Sequence, residues 1–163
     1  MKKHNHNVTE LLISIVTAQL TGVLSALVVM LSGNSFSVYE EYTKPPLSPR
    51  GWLFPVVWVV LYTLMGISAY IVYKSDSEKK ENALKLYGIQ LFVNFLWSIV
   101  FFGFNSLRLS LVVILVLLLL VIAMIMSFRR ISSLSAYLNI PYLLWVIFAT
   151  YLVLGFIFMQ RVS

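Results

Sequence analysis

Five long runs of apolar residues, separated by short polar breaks, dominate this chain of 163 residues. Each run has the roughly 20 residues that a helix needs to cross the hydrocarbon core of a bilayer. The runs cover residues 11–31, 53–73, 86–104, 109–128 and 137–159. Because backbone amides in lipid must be hydrogen-bonded within their segment, and because no run alternates polar and apolar residues, helices are predicted rather than barrel strands. The predicted fold class is an all-α membrane protein, a bundle of five transmembrane helices.

The composition argues against most soluble functions. Hydrophobic residues make up 60% of the chain and charged residues 11%, against about 45–50% and about 25% in soluble domains. A water-facing enzyme domain and a nucleic-acid-binding module are therefore not expected. The chain has no cysteine, and its two histidines, His4 and His6, lie in a polar N-terminal tail, residues 1–10. We predict no metal site, no cofactor and no nucleic-acid partner, and a single transmembrane domain over residues 11–163.

The distribution of Lys and Arg predicts the orientation. Eight of the twelve lie in the tail and in the second and fourth loops, and four on the opposite side. Since positive charge favours the cytoplasmic face, we predict a multi-pass protein of the cell membrane with a cytoplasmic N-terminus and an external C-terminus. The first run follows two lysines and could be a signal peptide, but its length and the lack of a small-residue cleavage site favour an uncleaved span.

The five runs contain no Asp, Glu, Lys, Arg or His. Intramembrane charges usually mark ion and proton pathways, so a pump or a proton-coupled antiporter is not expected. Amides such as Gln19, Gln90 and Asn94 remain, together with tryptophans, tyrosines and hydroxyls. Such groups suit the binding of a large, flat, apolar molecule. They could equally hydrogen-bond one helix to another.

The first loop contains Pro45, Pro46 and Pro49 within five residues. Proline fixes φ and disfavours a helical conformation in the residue before it, so we predict a stiff, structured, proline-rich loop between helices 1 and 2. Such a loop can act as a lid, with Pro45, Pro49 and Arg50 as its candidate residues.

Aromatic residues follow this loop at helical spacing. Phe54, Trp58 and Tyr62 recur every fourth residue and share one face of the second span. Trp52 falls at the predicted water interface, where an aromatic belt is common. These rings could line a site beneath the loop, or they could be belt and core residues.

Two later spans carry similar faces. The third combines amides with rings, and the fifth places small residues beside a tryptophan: Gln90, Asn94, Trp97, Ser98 and Phe101, then Pro141, Trp145, Ala149 and Leu152 with Phe148 alongside. The first span has a small residue at every fourth position: Ser14, Ala18, Gly22 and Ala26. This stripe allows close approach of a helix, either from the same bundle or from a second protomer.

Three ordered motifs resemble the translocator protein family, also called tryptophan-rich sensory proteins or peripheral benzodiazepine receptor homologues. The first motif has Tyr39, Lys44-Pro45, Pro49, Trp52-Leu53-Phe54-Pro55, Trp58, Leu61-Tyr62 and Met65-Gly66. The second has Gln90-Leu91, Asn94, Trp97-Ser98 and Phe101-Phe102-Gly103. The third has Pro141-Tyr142-Leu143-Leu144-Trp145, Phe148-Ala149 and Leu152. The resemblance covers nearly the whole chain beyond the tail.

The resemblance implies a five-helix bundle, often dimeric, with a ligand cavity beneath the first loop. Members bind porphyrins such as protoporphyrin IX, benzodiazepine-site ligands and, in animals, cholesterol. Some bacterial members degrade protoporphyrin in light and oxygen. By resemblance, Trp52, Asn94, Trp97, Trp145, Ala149 and Leu152 occupy cavity positions, and the pair Trp52 and Trp145 is implicated in porphyrin photochemistry.

The chain departs from the family pattern at four positions. Leu47 stands where the family usually has an aromatic residue, and Arg50 stands where it has a second proline. Val38 stands in place of a tryptophan, and Val153 in place of an asparagine. Arg50 places a cation near the predicted lid, where it could pair with a porphyrin propionate or face water. Leu47 and Val153 leave the predicted cavity more apolar than is usual in the family.

The resulting hypothesis is a membrane receptor or sensor that binds tetrapyrroles, with Trp52, Phe54, Trp58, Asn94, Trp97, Phe101, Trp145, Phe148, Ala149 and Leu152 as ligand-binding candidates. One alternative is an enzyme that degrades porphyrin with light and oxygen, in which Trp52 and Trp145 are the catalytic candidates. Another is a transporter of porphyrin or lipid, although five spans do not divide into the repeated halves common in transporters. The predicted partners are a porphyrin or other apolar small molecule, membrane lipid and a second copy of the chain in a homodimer.

Overall fold

The computed structural model describes residues 2–31 and 38–162, with side chains for residues 7–31 and 39–160. Within these residues the chain forms helices and no strand. The helices are α1 Lys2–Leu31, α2 Val38–Glu41, α3 Leu53–Tyr73, α4 Lys80–Ser98, α5 Leu107–Arg129, α6 Ser133–Leu138 and α7 Ile140–Val162. A π-helical turn, Ile99–Gly103, continues α4.

Five helical segments are long and apolar enough to cross a membrane: Asn7–Leu31, Leu53–Tyr73, Lys80–Gly103, Leu107–Arg129 and Ser133–Gln160. The predicted five-helix fold is therefore confirmed, and the second span has the predicted bounds. Helix α1 begins at Lys2, so helical backbone continues through most of the predicted polar tail. Boundaries differ at other ends because polar residues such as those of Lys80–Lys85 extend a helix past its apolar run.

The helices pack in a ring in which α1 lies beside α3 and α4, α4 beside α5, and α5 beside α7. The short helix α6 packs on α3 and α5, whereas α3 and α7 approach each other at few points. The centre is filled by buried apolar side chains, among them Met65, Val121, Met124 and Phe156. The loose approach of α3 and α7 leaves a groove on that side of the bundle.

The small-residue stripe of α1 packs against α3 of the same chain. A Cβ atom on Gly66 would lie 2.6 Å from the Cα of Ile15, and one on Gly22 would lie 2.6 Å from the ring of Tyr62. The Ser14 hydroxyl donates a hydrogen bond to the Gly66 carbonyl at 2.7 Å. The stripe is thus used for intramolecular helix contact, which was one of its two interpretations.

A break just before Pro141 separates α6 from α7. Buried polar groups hold the break against α3. The Asn139 side-chain amide donates to the Ser68 hydroxyl at 2.6 Å, and the Ser68 hydroxyl lies 2.8 Å from that of Ser135. These hydrogen bonds satisfy polar groups that lipid could not.

The described part of the first loop is structured and attached to the bundle. The Tyr151 hydroxyl donates to the Pro46 carbonyl at 2.8 Å, and the Tyr42 hydroxyl donates to the Asn105 side chain. The Pro45 ring lies against Gly155 with no space for a side chain there. The described part of the loop therefore forms a roof, attached at several points, over one end of the bundle.

The roof contains a tight turn with an unfavourable residue. The Ser48 amide donates to the Pro45 carbonyl at 3.3 Å, and Leu47, the third residue of this turn, has φ of 66°. A type II turn requires positive φ at this position and favours glycine there. Leu47 is also 83% exposed, so its side chain contributes little packing in return.

Leu47→Gly is therefore expected to stabilise the protein. Removing the left-handed strain of a leucine is worth about 1–2 kcal/mol, part of which the greater freedom of glycine in the unfolded chain offsets. We expect the midpoint of thermal unfolding in detergent to rise by about 2–4 °C. Leu47→Ala is the matched control, because it removes the same exposed bulk but keeps the Cβ atom; an equal rise in both variants would contradict this explanation.

Candidate functional site

A cavity of about 420 Å³ lies between the second half of α1 and the first half of α3, beneath the first loop. The end of α4 and its π-helical turn close the inner side. Fifteen residues line it: Gln19, Gly22, Val23, Ser25, Ala26, Met30, Tyr39, Gly51, Phe54, Pro55, Trp58, Val59, Tyr62, Ser98 and Phe102. Its volume is within the range of about 300–1,000 Å³ typical of small-molecule sites.

The floor of the cavity is set by Gln19. Its side-chain amide donates to the Val59 carbonyl at 2.9 Å and to the Thr63 hydroxyl at 3.0 Å. Below this point α1 and α3 touch closely, where the Ser14 hydroxyl donates to the Gly66 carbonyl. Above it, the cavity occupies the space between the two helices, and Gly22 and Tyr62, which lie close together, both line it.

Aromatic rings from α3 form one wall. Phe54, Trp58 and Tyr62, which share one face of α3, all line the cavity. The rings of Trp58 and Tyr62 are stacked, with centroids 5.2 Å apart and an interplanar angle of 28°. Gly22 and Ala26 of α1 also line the cavity. The cavity thus has a ring surface on α3 and small residues on α1.

A buried hydrogen-bond network holds this wall in position. The Tyr62 hydroxyl donates to Asn94 Oδ1 at 2.7 Å, and Asn94 Nδ2 donates to the Tyr142 hydroxyl at 2.9 Å. The Tyr142 hydroxyl in turn donates to Gln90 Oε1 at 2.9 Å. Asn94 and Gln90 are fully buried and connect three helices. The amide face of α4 therefore contacts other helices, and it reaches the cavity through Tyr62.

The π-helical turn directs two consecutive phenylalanines to different environments. Phe102 lines the cavity, whereas Phe101 packs against Trp97, with ring centroids 5.4 Å apart, and against Tyr42 and Phe156. The extra residue of a π-turn changes the direction of the following side chains. Phe102 thus contributes to the cavity lining, while Phe101 is a core residue.

Tyr39 and Gly51 form the part of the roof that lines the cavity. The Tyr39 hydroxyl donates to the Pro49 carbonyl at 2.7 Å, and burial raises the pKa of this hydroxyl. Tyr39 therefore remains a neutral hydrogen-bond donor. Next to it, a hydrogen bond from Lys44 lowers the pKa of Glu40, and Lys44 lies 5.0 Å above the Tyr39 ring.

A second groove lies between α3 and α7. Its lining is apolar and includes Trp145 and Phe148: Val56, Val57, Val60, Leu61, Pro141, Leu144, Trp145 and Phe148. The Trp145 ring meets Phe54 edge-on, with centroids 5.6 Å apart. Trp145 is thus one ring away from the cavity that Phe54 lines. Its buried Nε1 has no hydrogen-bond acceptor within the described part of the chain.

The structure separates the candidate ligand-binding residues into four groups. Phe54 and Trp58 line the cavity, and Trp145 and Phe148 line the α3–α7 groove. Buried among the helices are Asn94, Trp97, Phe101, Ala149 and Leu152. Trp52 is 64% exposed at the start of α3 and does not line either space.

The lid candidates have distinct positions. Pro45 packs against Gly155, and the Pro49 carbonyl accepts the hydrogen bond from Tyr39. Arg50 is exposed, and it precedes Gly51, which lines the cavity. The role of these residues as a lid stays a prediction.

The interpretation of the sequence missed the contribution of α1 to the cavity. Gln19, Gly22, Val23, Ser25, Ala26 and Met30 all line it. The signal was present in the small residues of α1 and in the amide of Gln19, but it was interpreted as a helix-packing stripe and a remaining polar group. Half of the stripe packs against α3, and the other half faces the cavity.

Among the residues with described side chains, no group of three or more His, Cys, Asp or Glu could hold a metal ion. Among the residues that the structure describes, the cavity lining has amide and hydroxyl groups and no carboxylate or imidazole. Such a lining binds a ligand by shape, ring contact and a few hydrogen bonds.

These features define a multi-pass helical membrane protein with an aromatic cavity beneath a structured first loop. A sequence model described as the TspO/MBR family matches residues 13–159. The chain belongs to this family, which confirms the resemblance found in its motifs.

Relatives from bacteria and animals agree with this assignment. The tryptophan-rich protein TspO of Chlorobaculum tepidum is 37% identical over 116 residues, which cover 70% of this chain and 73% of the relative. The tryptophan-rich sensory protein of Cereibacter sphaeroides is 37% identical over 112 residues, covering 69% and 70%. The translocator protein of Ovis aries is 33% identical over 125 residues, covering 75% and 74%.

Proposed function

We propose that this protein binds a tetrapyrrole such as protoporphyrin IX in the cavity beneath the first loop, and that it serves as a ligand-binding sensory protein of the cell membrane. Benzodiazepine-site ligands are expected to use the same cavity. The names of relatives, such as tryptophan-rich sensory protein, are consistent with a sensory role.

The shape of the cavity is the observation that carries this proposal. The stacked rings of Trp58 and Tyr62 lie on α3, and the small residues Gly22 and Ala26 lie on α1. A planar apolar molecule can lie against such rings, and aromatic stacking adds about 0.5–1.5 kcal/mol beyond the burial of area. The network through Asn94 keeps the wall in place before the ligand arrives, which lowers the entropy lost on binding.

The few polar groups of the cavity suit a ligand that is mostly apolar and has polar groups at one edge. Gln19 lies at the floor, and Tyr39 lies at the roof, near Arg50. A planar ring with carboxylates at one edge would place its apolar part against the rings and its carboxylates toward the Arg50 end. A guanidinium is well suited to pair with a carboxylate there. Because the described residues of the cavity lining include no histidine, and the chain has no cysteine, a metal-free porphyrin is the preferred ligand.

The proposal is tested by titrating the purified protein in detergent with protoporphyrin IX, haem, a sterol and a benzodiazepine-site ligand. We expect saturable quenching of tryptophan fluorescence by protoporphyrin IX, weaker binding of haem, and competition by the benzodiazepine-site ligand. Quenching that rises linearly with porphyrin, as it does for a micelle without protein, would contradict the proposal.

The alternative activity, breakdown of porphyrin by light and oxygen, is favoured by one contact. Trp145 meets Phe54, which lines the cavity, so an electron-rich indole lies one ring behind the wall. The excited porphyrin would supply the chemistry, since no lining residue that the structure describes has a carboxylate or imidazole to act as general acid or base. Illumination of the titrated sample in air, followed by absorbance, distinguishes the two functions. With a sensor, the porphyrin spectrum changes no more than it does in buffer. With an enzyme, the porphyrin spectrum is replaced by the spectrum of a new product.

A further inference from the structure

We infer that the cavity is loaded sideways from the bilayer, through the space between residues 23–30 of α1 and residues 54–59 of α3, here called the lateral gap. Its ligand is therefore a molecule dissolved in the hydrocarbon of the membrane, and its entry does not require the roof to open. This inference rests on the proposed function in one respect: it concerns the same cavity and the same ligand.

The side chains at the lateral gap face both the cavity and the membrane. Val23, Met30 and Val59 line the cavity, and they are 52%, 61% and 57% exposed, so they are not covered by other parts of the bundle. Pro55, which also lines it, is exposed as well. Since both helices are transmembrane spans, the surface around these residues is covered by lipid. The cavity is thus continuous with the hydrocarbon phase.

The chemistry of the lateral gap favours passage of an apolar molecule. Its four exposed side chains are apolar, so an entering molecule breaks no side-chain hydrogen bond among them. Met30 is long and flexible, and methionine side chains adapt readily to a neighbouring ligand. The hydrogen bonds between α1 and α3 lie below the gap or at its lower edge, from Ser14 to the Gly66 carbonyl and from Gln19 to the Val59 carbonyl and the Thr63 hydroxyl. These contacts hold the two helices together while the other half of the pair stays apart.

The roof, unlike the lateral gap, is held closed by several contacts. It is attached by the hydrogen bond from Tyr151 to Pro46, by the hydrogen bond between Tyr42 and Asn105, and by the packing of Pro45 against Gly155. Opening it would break several of these contacts at once and expose the buried Tyr39 and Tyr42. The lateral gap is therefore the route of lower cost.

The inference is tested with Ser98→Cys, which places a single thiol in the cavity of a chain that has no cysteine. The protein is reconstituted in liposomes, and the thiol is labelled with a lipid-soluble maleimide or with a charged, water-soluble maleimide. Each rate is divided by that of the same reagent on Glu78→Cys, an exposed loop position. We expect the normalised rate of the lipid-soluble reagent to be at least ten times that of the charged one.

Two second-site variants identify the route. Val59→Trp places a large side chain at the lateral gap and is expected to slow labelling by the lipid-soluble reagent at least fivefold. Tyr151→Phe removes the hydrogen bond that ties down the roof and is expected to leave this rate within twofold. A faster rate in Tyr151→Phe, together with no change in Val59→Trp, would show entry through the roof and overturn the inference. Equal normalised rates for the two reagents would overturn it as well.

Failure of the proposed function gives a different result. If protoporphyrin IX occupies the cavity, its addition protects the thiol of Ser98→Cys from both reagents. Labelling that follows the expected route but is not reduced by the porphyrin would contradict porphyrin binding and leave lateral entry supported.

Discussion

Gly66→Ala is expected to lower the midpoint of thermal unfolding by about 5–10 °C, the larger of the two stability effects predicted here. The added Cβ atom would lie 2.6 Å from the Cα and 2.9 Å from the amide nitrogen of Ile15. Backbone atoms cannot rotate away as a side chain can, so α1 must move from α3 as a whole. The Ser14 hydroxyl would then lose its acceptor, the Gly66 carbonyl. The measurement is thermal unfolding of the purified protein in detergent, followed by circular dichroism.

Gly88→Ala is the matched control for this substitution. Gly88 lies on α4, is exposed, and would have nothing within 4 Å of an added Cβ atom. Alanine has a higher helix propensity than glycine by about 1 kcal/mol, so this variant should unfold at the same or a slightly higher temperature. A midpoint in Gly66→Ala equal to that of Gly88→Ala would show that α1 and α3 are not in contact at Gly66.

Trp58→Ala is expected to weaken the binding of protoporphyrin IX about tenfold or more. The substitution removes the larger ring of the stacked pair that forms the cavity wall, and a tenfold change corresponds to about 1.4 kcal/mol, within the combined effect of lost stacking and lost apolar area. The dissociation constant is measured by quenching of the remaining tryptophans. Because Trp58 also packs against Tyr142, with ring centroids 6.1 Å apart, Trp58→Phe is measured beside it and should retain most of the affinity.

Trp52→Ala separates two possible positions of the ligand. Trp52 is exposed and does not line the cavity, so a porphyrin bound between α1 and α3 should lose less than about threefold in affinity. If the ligand lies against the outer surface of the loop, Trp52→Ala should lose more affinity than Trp58→Ala. A larger loss of affinity in Trp52→Ala than in Trp58→Ala would therefore show that the porphyrin binds outside the cavity. The proposal that the protein binds porphyrin would still stand.

The residues of the aromatic stripe were the part of the site that could be predicted from the sequence. Phe54, Trp58 and Tyr62 recur at the helical period, and a helix must then present them on one face. Asn94 and Gln90 were equally visible as a face, but periodicity does not tell whether an amide meets a ligand or another helix. In the folded chain the amides of Asn94 and Gln90 form hydrogen bonds with the hydroxyls of Tyr62 and Tyr142 on other helices.

The sequence by itself determined the number of spans, their approximate limits and the absence of charge within them, because transfer into hydrocarbon depends on the local composition of a segment. Only the tertiary structure decided which faces enclose space. Gly66 lets α1 and α3 touch at one end, while beneath the roof the small residues of α1 and the rings of α3 leave a cavity between them. Whether two apolar faces meet or leave a cavity depends on the side chains of both helices together, and that pairing is a property of the packed bundle.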